Sequence, residues 1–384
     1  MSSVVIAGVG ESAIGEVPDQ DALSMGADAC RRAVADGGLA MSDVDGVLSV
    51  DSIAEPFRMH SVVLAEHLGV RANLSMTGSL GGATHIALVL QARDAILAGR
   101  ANAVLVTSSD RLRTGMTRDA ALTALVQGAG HPDLEKPYAP LLASLYGMVA
   151  HRHMREYGTT PEQLAMVAVV HRQHGALHPT AQLREPVTID EVLASRMVSD
   201  PLHALECSLV SDGAGAVLVT REGFTSSSRE AAILGGAEHH THEHVVASED
   251  LVSTGARVAA QAAFAQAGVT PADVDVALLY DSFTITVLLL LEELGFCAPG
   301  EGGPFVMDGR IALDGALPVN PHGGLLSHCH PGRPGGIFHI VEAVHQLRGE
   351  ATGRQVRDAE VAFVHGCGGV LSTHASLVLG GHAR

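Results

Sequence analysis

The chain has no tryptophan and only four tyrosines among 384 residues, so large aromatic rings cannot supply its core. Alanine, valine, leucine and isoleucine must fill it, the usual material of sheets covered by helices. Lysine and arginine number 24 against 42 acidic residues, a net charge of −18, and they never cluster. Nucleic-acid binding is therefore not expected, because phosphate contacts need local positive charge. The five cysteines (Cys30, Cys207, Cys297, Cys329 and Cys367) form no CxxC pair. That argues against a disulfide framework or a zinc ribbon and fits a reducing cytoplasm. Long apolar runs are missing too. The longest, Ile285 to Leu291, is far too short to span a bilayer. The N-terminus begins with the strand-like Val4-Val5-Ile6-Ala7-Gly8 and lacks a signal pattern, so the expectation is a soluble cytoplasmic protein.

What is present repeats itself. Hydrophobic residues make up 47% and charged residues 17%, enough for a large core and for two packed units. Ala33 to Leu39, then Asp43-Val44-Asp45, then Val47 to Ser52 form one series. Ala263 to Val269, then Asp273-Val274-Asp275, then Ala277 to Ser282 form a second, 230 positions later. Each reads as an Ala-rich helix, a glycine stop, a capped turn and a strand ending in Asp-Ser. A second pair follows in the same order. Ile86 to Gly99 leads into Ala103 to Val106, and Ile337 to Gly349 leads into Val361 to Val364. Two homologous αβ halves are predicted. The region from Arg111 to Pro201, with Pro132, Pro137, Pro140, Pro161 and Pro179, breaks the rhythm. It is expected to contain helices at Leu141 to Tyr157 and Pro161 to His174, and to cap an active site.

The densest chemistry lies in Val319 to Gly332, where three histidines, a cysteine and three glycines share fourteen residues. Glycine lets the backbone turn sharply and approach a ligand, while histidine and cysteine exchange protons or attack carbon. A second dense stretch, Glu238 to His244, places His240, His242 and His244 on one side if it is extended. It follows the strand Ala232 to Gly235 as a connection, so a solvated or pocket-edge segment is expected and no metal site.

These motifs together resemble the thiolase superfamily, most closely its lipid-transfer, sterol-carrier-protein-x-type branch. Ser211 to Leu218 is similar to the thiolase segment SDGAAAVL, and Gly323 to Pro331 is similar to GGxxxxGHP. Tyr280-Asp281-Ser282-Phe283 stands in the place of NEAF or HDCF, and Gly366-Cys367-Gly368-Gly369 in that of the C-terminal glycine-rich loop. The resemblance implies an α/β thiolase fold of five layers, α-β-α-β-α. One half would comprise 1–110 with 202–225 and the other 226–384, with 111–201 as the cap insertion. The main departure is the missing nucleophile. Thiolases carry a cysteine before the helix that here holds Ile86 to Leu97, but Met76 to Thr84 contains none, and Gly82 takes its place. The usual acyl-enzyme cannot form there.

The resemblance makes His330 the first catalytic candidate, as a donor to a thioester or carbonyl oxygen worth roughly 3–4 kcal/mol. Tyr280 is the second, an acid or base at a strand end. In similar steroid aldolases a tyrosine in a YDxF segment is implicated in cleaving a β-hydroxyacyl-CoA, although those enzymes have another tyrosine where this chain has His330. Cys367 is the third, a proton shuttle or a substitute nucleophile. His322, Ser79, Gly82, Thr84, Gly324 and Gly368 are the substrate-binding candidates, and Cys329 is expected to be a bystander. The function implied is C–C bond making or breaking beside an acyl-CoA thioester, foremost retro-aldol cleavage of a β-hydroxyacyl-CoA. A Claisen-type acyltransferase using Cys367, or a non-catalytic lipid- or acyl-CoA-binding subunit, are the alternatives. No bound cofactor is expected, with the coenzyme A thioester as substrate. The resemblance further implies a homodimer and an OB-fold/zinc-ribbon partner protein.

Overall fold

A computed structural model describes residues 3–127, 130–138, 141–225 and 229–381; Pro140 and residues 226–228 and 382–384 of the sequence-based assignments lie outside them. The first half runs β1 (Val4–Glu11), α1 (Ala22–Asp36), β2 (Gly46–Ser49), α2 (His60–Leu68), β3 (Leu74–Thr77), α3 (Thr84–Leu97) and β4 (Ala103–Arg111). The insertion follows with α4 (Arg118–Gln127), α5 (Leu142–Tyr157), α6 (Pro161–Leu177), α7 (Ile189–Ala194) and the short pair β5 (Met197–Ser199) and β6 (Leu202–His203). The chain then returns through β7 (Asp212–Arg221). The second half comprises β8 (Ala231–His240), α8 (Ala256–Ala267), β9 (Val276–Leu279), α9 (Thr284–Glu293), α10 (Gly302–Met307), α11 (Gly324–Ser327), α12 (Gly335–Leu347), β10 (Val361–Gly368) and β11 (Thr373–Gly380).

Local chemistry sets these boundaries. Asp21 caps α1 by accepting the Ser24 N–H at 2.7 Å, and Thr160, Pro161 and Gln163 form a capping box with proline at the first position of α6. The repeat is equally physical. Asp45 accepts the Ala103 N–H at 3.0 Å at the start of β4, and Asp275 accepts the Val361 N–H at 2.8 Å at the start of β10. Asp43 and Asp273 each accept a backbone N–H three residues back, both at 2.8 Å.

Nine of the strands form one sheet, in the order β3-β2-β4-β7-β1-β8-β11-β10-β9. Read outward from the centre, each half has the same order: its first strand, its last, its next to last and its second. The halves join where β1 and β8 pair antiparallel at Val5–Ala232 and Ile6–Ala231. In the second half a single parallel bridge, Ala277–Val319, occupies the place that β3 takes in the first. Helices α3 and α12 pack on each other and on strands of both halves. Helices α1 and α2 cover one outer face, and α8 the other. The result is the expected five-layer arrangement, with fully buried residues such as Ile86, Ile96 and Phe338 at its centre.

Three expectations need correction. The strands β2 and β9 stop at Ser49 and Leu279, so Asp51-Ser52 and Asp281-Ser282 lie beyond the strand ends, at the sheet's rim. Helix α6 continues past His174 to Leu177. The extended alternation drawn for His240 to His244 ends at His240, because the paired strand β11 begins at Thr373, opposite His240. Among the described residues, no group of three His, Cys, Asp or Glu side chains is placed to hold a metal ion, and no helix is long and apolar enough to cross a membrane.

Candidate active site

Tyr280 is the first residue beyond β9. Its N–H continues the parallel pairing by donating to His365 O at 2.9 Å. On the other edge, the Asn320 side chain imitates a strand, accepting the Leu279 N–H and donating to Leu279 O, both at 2.8 Å. The tyrosine therefore leaves a fixed backbone. His330 comes from the loop after α11 and is equally held. Its N–H donates to Ser211 Oγ at 2.9 Å, and its carbonyl accepts the Ser211 N–H at 3.1 Å.

The two side chains meet. Tyr280 Oη lies 3.2 Å from His330 Nε2. His330 Nδ1 lies 3.2 Å from the Leu209 carbonyl, which can only accept, so Nδ1 carries the proton and Nε2 is the acceptor for the tyrosine hydroxyl. Burial holds His330 down at about 4, which keeps it neutral at pH 7. Burial pushes Tyr280 well up, and the neighbouring Cys367 and the Asp281 charge add to the rise. Unaided, this phenol does not ionise near neutrality. The contact allows it to hand its proton to His330 while taking another.

The missing cysteine has a physical counterpart. A Cβ on Gly82 would fall 2.3 Å from Tyr280 Cε2, 2.4 Å from Tyr280 Cζ and 2.4 Å from the Cys367 carbonyl oxygen. The Tyr280 ring occupies the space of a side chain at the nucleophile's position. Any residue larger than glycine there collides with it.

Asp281, one residue on, is wholly buried and accepts four bonds. They come from His171 Nδ1 on α6 at 2.8 Å, His339 Nε2 on α12 at 3.3 Å, and the Leu325 and Leu326 N–H groups at 2.8 and 3.3 Å. Burial alone would raise its pKa. The His171 and His339 bonds outweigh that and hold the carboxyl well below its ordinary range. The insertion, α11 and α12 thus all anchor on one carboxylate beside the Tyr280–His330 pair.

The remaining candidates separate. Cys367 is buried next to the pair, but burial pushes its thiol up to about 12, with the Asp281 charge adding to the rise. Cys329 is also buried and raised. Thr84 spends its hydroxyl internally, accepting from Leu80 N–H and donating to Gly81 O. Gly324 faces Asp281, whose Oδ2 would lie 2.0 Å from a Cβ there, and Gly368 gives the Leu80 carbonyl the same room. Ser79 is exposed near the start of α3. His322 is buried against the rings of His328 and His339 instead of on the pair. Sequence reasoning missed Asp281, His171 and His339 as site members. The repeated Asp-Ser ending marked Asp281, but the histidines lie on helices with no motif around them. Surface hollows bordered by Arg257, Phe264 and Leu294, and by Val62, Val70 and Ala72, share no residue with the pair.

Known proteins give the same outline. Residues 237–381 match the family model described as thiolase C-terminal domain-like. An acetyl-CoA acetyltransferase of Methanothermobacter thermautotrophicus is 34% identical over 381 residues, covering 98% of each chain. A steroid side-chain-cleaving aldolase of Thermomonospora curvata is 33% identical, covering 95% of each. Among solved structures, an Ltp2-ChsH2(DUF35) aldolase superposes with a TM-score of 0.87 at 30% identity, covering 100% of this chain and 98% of that one.

Proposed function

This chain belongs to the thiolase superfamily, and on that premise we propose that it cleaves a carbon–carbon bond of a β-hydroxyacyl-CoA by a retro-aldol route, with Tyr280 and His330 as the proton-transfer pair. It is a thiolase-like acyl-CoA enzyme with no cysteine at the usual nucleophile position. The observation that carries the retro-aldol choice is the Tyr280 ring in the space above Gly82. The same residue that excludes a thiol supplies an acid–base hydroxyl.

The β-hydroxyl proton passes to Tyr280 Oη as the tyrosine's own proton moves to His330 Nε2. The Cα–Cβ electron pair shifts into the thioester as an enolate, and the β-carbon departs as a ketone or aldehyde. Backbone N–H donors of the glycine loops hold the enolate oxygen, each worth roughly 3–4 kcal/mol. The pair then returns the proton to the α-carbon, so no proton is gained or lost overall. Asp281 stabilises the transient His330 imidazolium through its charge. Schiff-base activation is ruled out, because the single lysine, Lys136, is exposed on the insertion. A Claisen route through Cys367 would need a thiolate that burial opposes.

We further propose the coenzyme A thioester as substrate with no resident cofactor, 111–201 as a cap over its acyl part, and function in a reducing cytoplasm, where all five cysteines stay free. A homodimer is supported by the open edge of β3 and the exposed Met59 and Val62 nearby. The superposed aldolase is named with a DUF35 component, which supports a partner subunit here. Incubating the purified protein, alone and with such a partner, with β-hydroxyacyl-CoA substrates tests the proposal. Release of a ketone or aldehyde plus the shortened acyl-CoA is expected. A covalent acyl adduct on the protein without carbonyl release would overturn it.

A further inference from the structure

Beyond the Tyr280–His330 pair a row of imidazoles leads toward the surface. The Tyr280 ring centroid is 6.1 Å from that of His339, His339 is 5.1 Å from His322, His322 is 5.2 Å from His328, and His328 is 4.4 Å from His178. His330 abuts the start of α12 at Gly335, with His339 one turn further along that helix. His339, His322 and His328 are fully buried; His178 is buried too, but it adjoins the exposed Pro179 and Thr180 and accepts the Thr180 N–H at 3.3 Å.

Several of these rings carry nitrogens with no partner among the described residues: His339 Nδ1, both nitrogens of His322, and His328 Nε2. Leaving such an atom unpaired is costly, and water can bridge neighbours that face one another. The charges around it are Asp281 at the inner end, Arg354 (ion-paired with Glu342) along its length, and His345 and Arg184 at the outer end. Burial, with Arg354 adding, holds His328 at about 3, and burial with His328 and Arg354 holds His178 at about 2. A neutral imidazole accepts on one nitrogen and donates on the other, whereas a protonated one only donates. Neutrality is what a relay requires.

We propose that His339, His322, His328 and His178 form a proton relay linking the Tyr280–His330 pair to solvent past Thr180, by a route separate from the substrate cleft. It rests on the retro-aldol proposal above. When an acyl-CoA α-carbon gives its proton to the pair, the C–H electrons stay on the enolate and the proton resides on His330. One proton then leaves outward along the row as a solvent proton enters, with no change in charge. Cleavage itself needs no such exchange, because it moves the hydroxyl proton to the α-carbon within the pair. The relay resets the pair when product leaves out of step.

The test is wash-out of deuterium from C2 of deuterated propionyl-CoA in ordinary water without ketone, followed by mass spectrometry alongside retro-aldol turnover. His178→Phe and His328→Phe are each expected to slow wash-out at least tenfold while retro-aldol kcat stays within threefold. Wash-out within twofold of the unaltered protein in His178→Phe, at the outer end of the row, overturns the relay, whatever His328→Phe does to folding. Cleavage without any wash-out by the unaltered protein also overturns the relay but leaves the cleavage proposal standing. Wash-out that the variants suppress, without cleavage, supports the relay and removes the cleavage proposal.

Discussion

Acid should unfold this protein far more steeply than its carboxylates alone would allow. Burial is the first cause in every histidine held low, among them these six: His178 at about 2, His85, His174 and His328 at about 3, and His330 and His374 at about 4. In the unfolded chain each titrates near 6.5. The folded state therefore binds fewer protons than the unfolded one below pH 6.5, and stability falls as pH drops through that value. At pH 5.5 each histidine removes about 1.4 kcal/mol, and the six together about 8 kcal/mol. That figure hardly depends on whether the folded values are 2 or 4. Glu11, pushed up to about 7 by burial and by Glu342, works in the opposite sense and returns about 2 kcal/mol. Asp110 and Glu206, also raised by burial, act in the same direction as Glu11. A net loss of about 6 kcal/mol is a large part of the 5–15 kcal/mol that stabilises a typical protein. Urea unfolding followed by circular dichroism at pH 8, 6.5 and 5.5 measures it. Midpoints should be nearly constant from pH 8 to 7 and collapse between 6.5 and 5.5. Equal stability at pH 8 and 5.5 would refute the idea that these imidazoles are buried and neutral.

Four further outcomes are expected. Tyr280→Phe should lower kcat of cleavage about 10²- to 10⁴-fold, the span of a lost acid–base group, with KM little changed in steady-state assays. Gly82→Cys should yield no acyl adduct in intact-protein mass spectrometry and should destabilise the fold by about 1–3 kcal/mol, because its Cβ meets the Tyr280 ring. Asp281→Ala should cost about 3–5 kcal/mol in urea unfolding, since two histidines and two backbone N–H groups lose their acceptor. Asp45→Ala and Asp275→Ala should destabilise by similar amounts, about 1–2 kcal/mol, because each removes the same strand-start bonds in its own half.

Much of the architecture was legible because it is periodic. Asp43 and Asp45, repeated as Asp273 and Asp275, could be paired by eye, and they cap the same turns and strand starts. The site was legible only where a motif is local. His330 and Tyr280 stood in recognisable segments and do meet. Thr84 and Gly324 stood in similar segments, but a hydroxyl's partners and the neighbour of a glycine are fixed by tertiary packing. His171 and His339 left no trace, because a histidine on an amphipathic helix looks the same whether it faces solvent or a carboxylate 110 or 58 residues away. Even the missing cysteine was visible only as an absence. That Tyr280 fills its space required coordinates.

The placement of β1 constrains the order in which the protein is made. Both hydrogen-bonded neighbours of this N-terminal strand, β7 and β8, come from residues 212–240. At ribosomal speeds of about 5–20 residues per second, β1 waits on the order of tens of seconds for either partner. Meanwhile β2, β3 and β4 can pair in parallel, but β4 keeps an open edge until β7 emerges. The interval in which unpaired strand edges need shelter from other chains is thus set by the length of the insertion, which delays β7 by about a hundred residues.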